Sequence, residues 1–180
     1  METVLEDERD REMLREMPEG QLMDLFALHV RNVWRVDGLY FLGIEGEYGT
    51  EPATKIDANC WGVMGKIEAR QLKRIMGVEE VEPQSFLHLL RNTSWALDVI
   101  GKEYDATEDR VTFRVTQCGT QLTRLRKGLP VFPCRRVRHG YLEAFARELD
   151  SGIEMVCRAC PPGERPEGTW CEWEFRFKNP

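Results

Sequence analysis

Apolar side chains recur every three or four residues through the first half of the chain, the spacing of an amphipathic helix. Two long helices are predicted, one from about Pro18 to Glu47 and one from Thr50 to Met76. A shorter third helix follows Pro83. We expect the apolar stripe of each long helix to be buried. The first stripe comprises Leu22, Leu25, Phe26, His29, Val33, Val36, Tyr40 and Ile44, and the second comprises Ile56, Cys60, Val63, Met64, Ile67, Leu72 and Ile75.

The ends of the two long helices carry recognisable boundary residues. Proline suits a first helical turn, as at Pro18, because its missing N–H would be unpaired there. Thr50 is expected to cap the second helix by accepting a backbone hydrogen bond. Gly49 and Gly77 stand where a helix commonly stops. The first half is therefore predicted to be helical.

Beyond Asn92 the apolar period changes to alternation, which is typical of strands with one buried face. Residues 95–99 and 111–118 are predicted to pair as an antiparallel hairpin around a polar segment at 105–109. Two short helices and two last strands follow, at 122–127, 141–149, 153–157 and 170–177. The sequence thus predicts a single α+β domain over 1–180. Its residues 1–92 are mainly helical and pack on a small antiparallel sheet within 93–180, which also carries a cysteine metal site.

Composition limits the classes of function. The chain has 180 residues, an apolar content of 42% and a net charge of −6, values of a globular protein that does not bind nucleic acid directly. A basic run lies between Arg124 and Arg138. Such a run is usually a solvated surface, although it can also contact an anionic ligand or an acidic partner.

Nothing in the sequence resembles a signal peptide or a membrane span, so we expect a cytoplasmic protein without membrane contact. In that reducing compartment, cysteines are expected to be ligands or free thiols rather than disulfides.

The last third contains the most specific chemical pattern. Cys134, Cys157, Cys160 and Cys171 follow the spacing C-x22-C-x2-C-x10-C. Four thiolates match the tetrahedral preference of Zn²⁺, so a structural zinc site is predicted. An iron–sulfur cluster is the minority alternative, since it also uses four cysteines. The remaining alternative is four unrelated buried thiols.

The C-terminal part, roughly Trp95 to Phe177, resembles the vinyl-reductase-type domain, a small-ligand sensor fold. Cys134, Cys160 and Cys171 match the three cysteines of that family's zinc site. Cys157 stands where the family commonly has a glutamate. The resemblance therefore implies an all-sulfur site with no open coordination position, which is typical of structural rather than catalytic zinc.

The chain as a whole resembles an uncharacterised prokaryotic cytosolic family and, more distantly, the aminothiazoline-carboxylate hydrolases. The latter resemblance implies hydrolysis of a small cyclic C–N or C–S substrate. Short matches carry both resemblances: Trp34, Asp37, Gly38, Glu45, Tyr48, Gly49 and Ala53 in the helices, and Val115, Thr116, Gln117 and Cys118 later.

Large apolar groups and carboxylates alternate on the first two helices, a composition typical of small-ligand pockets. The alternative is an ordinary amphipathic helix with a core histidine and acids at its edge. The candidate ligand-binding residues are His29, Trp34, Asp37, Phe41, Glu45 and Trp61.

Three hypotheses of function follow. The first is a zinc-stabilised module that binds a small, partly apolar ligand, as a sensor or scaffold. The second is a hydrolase whose candidate catalytic residues are Cys118, Asp37 and Glu45. The basic run would lower the pKa of Cys118 and make it nucleophilic; alternatively, Cys118 is a core cysteine or a metal ligand. The third is an interaction protein that forms a homodimer through its helical face.

Overall fold

The computed structural model describes residues 7–178. Within that range the chain forms seven helices and four strands. The elements are α1 (Glu8–Glu16), α2 (Glu19–Tyr48), α3 (Thr50–Ile75), α4 (Pro83–Arg91), α5 (Ser94–Asp98), β1 (Gly101–Ala106), β2 (Arg110–Gln117), α6 (Gly119–Arg126), α7 (Cys134–Leu149), β3 (Glu154–Ala159) and β4 (Cys171–Arg176). The predicted α+β class and the helical first half are confirmed.

The four strands form one antiparallel sheet with the order β1-β2-β4-β3. Alternate residues of β2, namely Val111, Phe113 and Val115, are fully buried. Phe113 pairs with Trp173 on β4, so the two central strands present aromatic rings to the same core. Residues of α4, α5 and α7 complete this core.

Glycine separates the two long helices, as predicted. Gly49 ends α2 with φ of 86°, a conformation that favours glycine, and Gly77 follows α3 with φ of 62°. The predicted capping role of Thr50 is wrong. Gly49 holds the N-cap position of α3, and the Thr50 hydroxyl donates instead to Glu45 Oε1 at 2.8 Å.

The apolar stripes of α2 and α3 do not face the core, which corrects the prediction. Leu25, Ile44, Met64 and Leu72 are half-buried. The other stripe residues are exposed: Leu22, Phe26, His29, Val33, Val36 and Tyr40 on α2, and Ile56, Cys60, Val63, Ile67 and Ile75 on α3. The core instead takes neighbouring positions, where Phe41 and Trp61 are buried.

Small residues determine which face of α3 is buried. Ala53, Gly65 and Ala69 are buried on the side that packs against α7. A Cβ atom at Gly65 would overlap the carbonyl oxygen of Tyr141, so the two backbones approach closely only because residue 65 has no side chain. This tight contact leaves the branched apolar residues Ile56, Val63 and Ile67 of α3 on the outside.

The first predicted strand was misplaced. Residues 94–98 form α5 because the Thr93 side chain accepts a hydrogen bond from Ala96 N at 3.2 Å, which caps a helix start. The strand that pairs with β2 is β1, at 101–106, so part of the expected polar turn belongs to it. Helix α7 also begins at Cys134, earlier than the expected start at Tyr141.

Across residues 7–178, no helix combines the length and apolar character needed to cross a bilayer.

Candidate functional site

The four predicted metal-ligating cysteines lie on three adjacent segments. Cys134 is the first residue of α7, Cys157 lies in β3, Cys160 follows β3, and Cys171 begins β4. The backbone N–H of Arg135 donates to Pro161 O at 2.9 Å, which holds the start of α7 against the loop that follows Cys160. The pairing of β3 with β4 brings the strand cysteines to the same end of the sheet.

The thiols interact with each other through Cys160. Its side chain shares hydrogen bonds with those of Cys134, Cys157 and Cys171, which raises the pKa of Cys160. The same contacts lower the pKa of Cys134 and of Cys157. None of the six cysteines is in a disulfide. The structure therefore gathers the predicted set around one central thiol.

These thiols are not arranged around a common empty centre. Within the described part of the chain, no group of three or more His, Cys, Asp or Glu residues has the geometry to hold a metal ion. Contact between the thiols and coordination of a metal ion require different arrangements of the four sulfur atoms. Each sulfur can contact Cys160 without all four facing one point, so metal binding would need the side chains to rotate.

Cys118 belongs to the same neighbourhood. It is the residue before α6, near Cys134 and Cys171. Burial, with a smaller effect from Cys134, raises the pKa of Cys118 to about 12. The expected lowering by the basic run is therefore reversed, and the Cys118 thiol is almost entirely protonated at neutral pH.

Arg138, one helical turn after Cys134, is buried among aromatic rings. Its guanidinium carbon lies 4.4 Å from the ring centroid of Trp34 and 4.7 Å from that of Trp61. The ring centroids of Trp95 and Tyr141 lie 5.4 Å and 5.6 Å away. Such contacts stabilise a buried cation. We call this cluster the Arg138 centre: Trp34, Asp37, Asp57, Trp61, Trp95, Arg138 and Tyr141.

Two carboxylates accompany the arginine. Asp37 accepts a hydrogen bond from Trp61 Nε1 at 2.9 Å. Burial, and then repulsion from Asp37, raises the pKa of Asp57 to about 7, although Arg138 acts in the opposite direction. Asp57 Oδ2 and Arg138 Nη1 are buried without a hydrogen-bond partner. The centre thus contains hydrogen-bonding capacity that the protein leaves unused.

The six predicted ligand-binding residues do not form one pocket. Trp34, Asp37 and Trp61 come together in the Arg138 centre, where the two indoles stack at 4.3 Å. Phe41 packs against Phe132 instead. His29 is exposed.

Glu45 forms an ion pair with Arg124. Arg124 is buried and Glu45 is half-buried, and the guanidinium donates to both carboxylate oxygens at 2.8 Å and 2.9 Å. This arginine holds the pKa of Glu45 below its usual range. Arg124 and Arg138 are thus buried members of the basic run, which was expected to be solvated.

Two surface clefts lie apart from these residues. One, of about 950 Å³, is lined by residues of the α3–α4 loop, the β1–β2 turn and the ends of β4 and α7. Another, of about 360 Å³, lies along α2 between Leu39 and Tyr48. Neither contains a cysteine or a member of the Arg138 centre.

Sequence reasoning missed Asp57 and Arg138. A signal existed for Asp57, because it lies four residues after Ala53 and four before Trp61, on the face that carries small residues. For Arg138 there was no such signal, because the predicted helix began only at Tyr141 and the three tryptophans around Arg138 come from other helices.

Comparison with known proteins identifies the family of this chain, but that family has no assigned activity. No curated protein matches the chain, and no solved structure matches it. A model of a family of unknown function, DUF6125, matches residues 15–177. That match spans nearly the whole chain, which therefore belongs to the family of unknown function DUF6125.

Proposed function

We propose that this protein is a zinc-binding module in which Cys134, Cys157, Cys160 and Cys171 hold one structural Zn²⁺. The observation that supports it is the contact of the Cys160 thiol with the other three. A cluster of thiols from three segments matches the ligand set that zinc prefers. Bound metal would link the start of α7 to β3 and β4 and contribute to folding.

Two arginines near the cluster favour the thiolate form of two of its members. A Zn²⁺ ion with four thiolates carries a net charge of −2. Arg138 favours the charged form of Cys134, and Arg135 favours that of Cys157. These two cations would offset the excess negative charge without occupying a coordination position. A closed site of this kind supports a structural role and leaves no position for substrate.

Substitution of single cysteines tests the assignment. Cys160→Ser should lose most of its zinc and unfold several degrees lower than the wild type, because the central ligand is removed. Cys60→Ser is the matched control, since Cys60 is exposed on α3 and far from the cluster in sequence. Cys118→Ser should also keep its zinc. Full zinc occupancy in Cys160→Ser would overturn the ligand assignment, and zinc loss in Cys118→Ser would replace one ligand by Cys118.

The second part of the proposal is a small, partly apolar ligand at the Arg138 centre, in a sensor or scaffold role. Stacked indoles provide an apolar surface, and Asp57 Oδ2, Arg138 Nη1 and Ser94 Oγ have no hydrogen-bond partner. Polar atoms of this kind, within an aromatic site, are what orients a ligand. Trp34 is half-buried whereas Trp61 is buried, so Trp34 is the stacked indole that is more open to solvent.

The hydrolase hypothesis has weaker support. Its candidate nucleophile, Cys118, has a raised pKa. Its candidate acids are already engaged, Glu45 by Arg124 and Asp37 by Trp61. Turnover of a thiazoline carboxylate that Cys118→Ala abolishes would favour the hydrolase instead.

Ligand binding is tested with indole and benzoate as probes, followed by isothermal titration calorimetry. We expect at least one probe to bind the wild type, and Trp34→Ala to weaken that binding about tenfold or more. Trp170→Ala is the control, because Trp170 packs on Arg165 at 4.0 Å, outside the centre. Equal weakening by the two substitutions, or no binding of either probe, would argue against a ligand site here.

A further inference from the structure

We propose that the exposed apolar faces of α2 and α3 form a symmetric interface with a second copy of this chain. The inference does not depend on zinc or on a ligand. It concerns one surface, which we call the hairpin stripe: Leu22, Phe26, His29, Val33, Val36 and Tyr40 on α2, with Ile56, Cys60, Val63 and Ile67 on α3.

The spacing of the hairpin stripe is that of a helix–helix seam. On α2 its residues are separated by four, three, four, three and four positions, and on α3 by four, three and four. This alternation is the heptad pattern through which helices pack side by side. Because α2 and α3 pack against each other, the two seams lie on neighbouring helices.

The hairpin stripe is exposed although it is the most regular apolar pattern in the chain. Val36 is 52% exposed and Val63 is 60% exposed. The core is already filled from a neighbouring face of each helix, by Phe41 on α2 and Trp61 on α3. Helix α1, which precedes α2, buries no residue of its own. Within the described residues, these apolar side chains therefore remain open to solvent.

The area available fits a dimer. Aromatic residues such as Phe26 and Tyr40 each offer about 150–250 Å². The aliphatic members offer less, and about half of each residue is accessible, which gives on the order of 800 Å² for the ten residues of the hairpin stripe. An interface of standard size buries about 800 Å² on each partner. Typical monomers expose smaller apolar patches, of about 300–600 Å². The hairpin stripe is thus as large as one side of a stable interface.

A second copy is the occupant that these features favour. The hairpin stripe contains no acidic or basic residue apart from His29, so two copies can meet face to face without repulsion between like charges. Each copy supplies two helices with matching heptad seams, and together they form a four-helix bundle. A homodimer with twofold symmetry is the commonest arrangement of soluble oligomers.

Sedimentation equilibrium of the purified chain tests the interface. We expect the wild type to be a dimer at micromolar concentration and the double variant Val36→Glu/Val63→Glu to be a monomer with an unchanged far-UV circular dichroism spectrum. Leu125→Glu is the matched control. Leu125 is 48% exposed on α6, so it undergoes the same chemical change away from the hairpin stripe, and that variant should remain a dimer.

Alkylation of Cys60 gives an independent measurement if the double variant fails to fold. Cys60 is exposed in the isolated chain but lies within the hairpin stripe. In the wild type, the rate at which Cys60 reacts with iodoacetamide should rise severalfold on dilution to protein concentrations at which the dimer dissociates. A wild type that is monomeric at every concentration, with a constant Cys60 rate, would overturn the proposal. A dimer that survives the two glutamates would exclude this surface.

Discussion

Asp57 lies in an environment that is unusual for an aspartate. An aspartate is normally solvated, yet this one lies in the middle of α3 with Oδ2 buried and unpartnered. Burial and the neighbouring Asp37 raise its pKa to about 7, and the attraction of Arg138 does not compensate. The site therefore stabilises the protonated acid, so that Asp57 gains a proton on folding in mildly acidic solution.

Substitution of Asp57 by Asn should change how stability depends on pH. The folded-state pKa lies above the unfolded value of 3.8, so the stabilisation is complete below pH 3.8 and is lost as pH rises towards about 7. Asn resembles the protonated acid. Asp57→Asn should therefore raise the free energy of unfolding by about 1–3 kcal/mol above neutral pH and change it little near pH 4.

Urea denaturation across this pH range measures the effect. The difference between Asp57→Asn and wild type is the relevant quantity, because loss of zinc at low pH affects both proteins. Asp24→Asn, at an exposed position of α2, is the control and should follow the wild type. A difference that does not vary with pH would contradict the assigned titration.

At the residue scale, sequence patterns identified the cysteines but not their surroundings. Spacing and composition were enough to select Cys134, Cys157, Cys160 and Cys171, which the structure does bring together. The burial of Arg138 depends on three tryptophans from other helices, and no local pattern contains that information. A charge run in a sequence does not show which of its members lies under a neighbouring element.

At the scale of elements, the two long helices illustrate how a correct period can be assigned to the wrong face. Both α2 and α3 were predicted with nearly correct ends. Each, however, has an apolar stripe and a second face with small and aromatic residues, and the tight approach of α3 to α7 selects the second. Hydrophobicity alone favoured the first, which is explained if those residues are buried between two copies of the chain.

A pair of glycine substitutions on α3 tests the tight contact. At Gly65 an added methyl group would overlap the Tyr141 carbonyl oxygen, so Gly65→Ala should lower the free energy of unfolding by about 1–3 kcal/mol. At Gly62 an added methyl group would have no atom of another element within 4 Å. Gly62→Ala should therefore raise stability by about 0.5–1 kcal/mol through helix propensity.

Chemical denaturation of the two variants gives both values. Opposite signs would support the close packing of α3 on α7. Equal small effects would mean that α3 and α7 do not approach each other as closely as they do in the structure.

Residues 94–106 illustrate a different kind of wrong prediction, in which a strand was expected where a short helix forms. Alternation of apolar residues at 95, 97 and 99 favoured a strand, but one capping hydrogen bond from Thr93 and the burial of Trp95 and Ala96 stabilise a short helix. Strand β1 itself has little apolar patterning, because it lies at the edge of the sheet with half-buried and exposed positions. Edge strands carry a weaker hydrophobic signal than central ones such as β2.

At the scale of the whole molecule, the proposed zinc site and the proposed interface lie on different parts of the fold. The cysteines join α7 to the last two strands, whereas the hairpin stripe lies on α2 and α3. The Arg138 centre takes its side chains from α2, α3, α5 and α7, so it shares α7 with the cysteines and α2 and α3 with the hairpin stripe. Such an arrangement suits a binding module in which the metal stabilises the sheet side and the helical side associates.

Zinc content is the measurement that tests this account most directly. The protein is purified without air, its metal is quantified by elemental analysis, and its thermal unfolding is followed with and without a strong chelator. We predict about one zinc ion per chain and a clear fall in the unfolding temperature when the chelator removes it. Protein that contains no metal, whose thiols all react freely and whose unfolding temperature is the same with and without chelator, would contradict the zinc site. Iron with inorganic sulfide in place of zinc would contradict it as well.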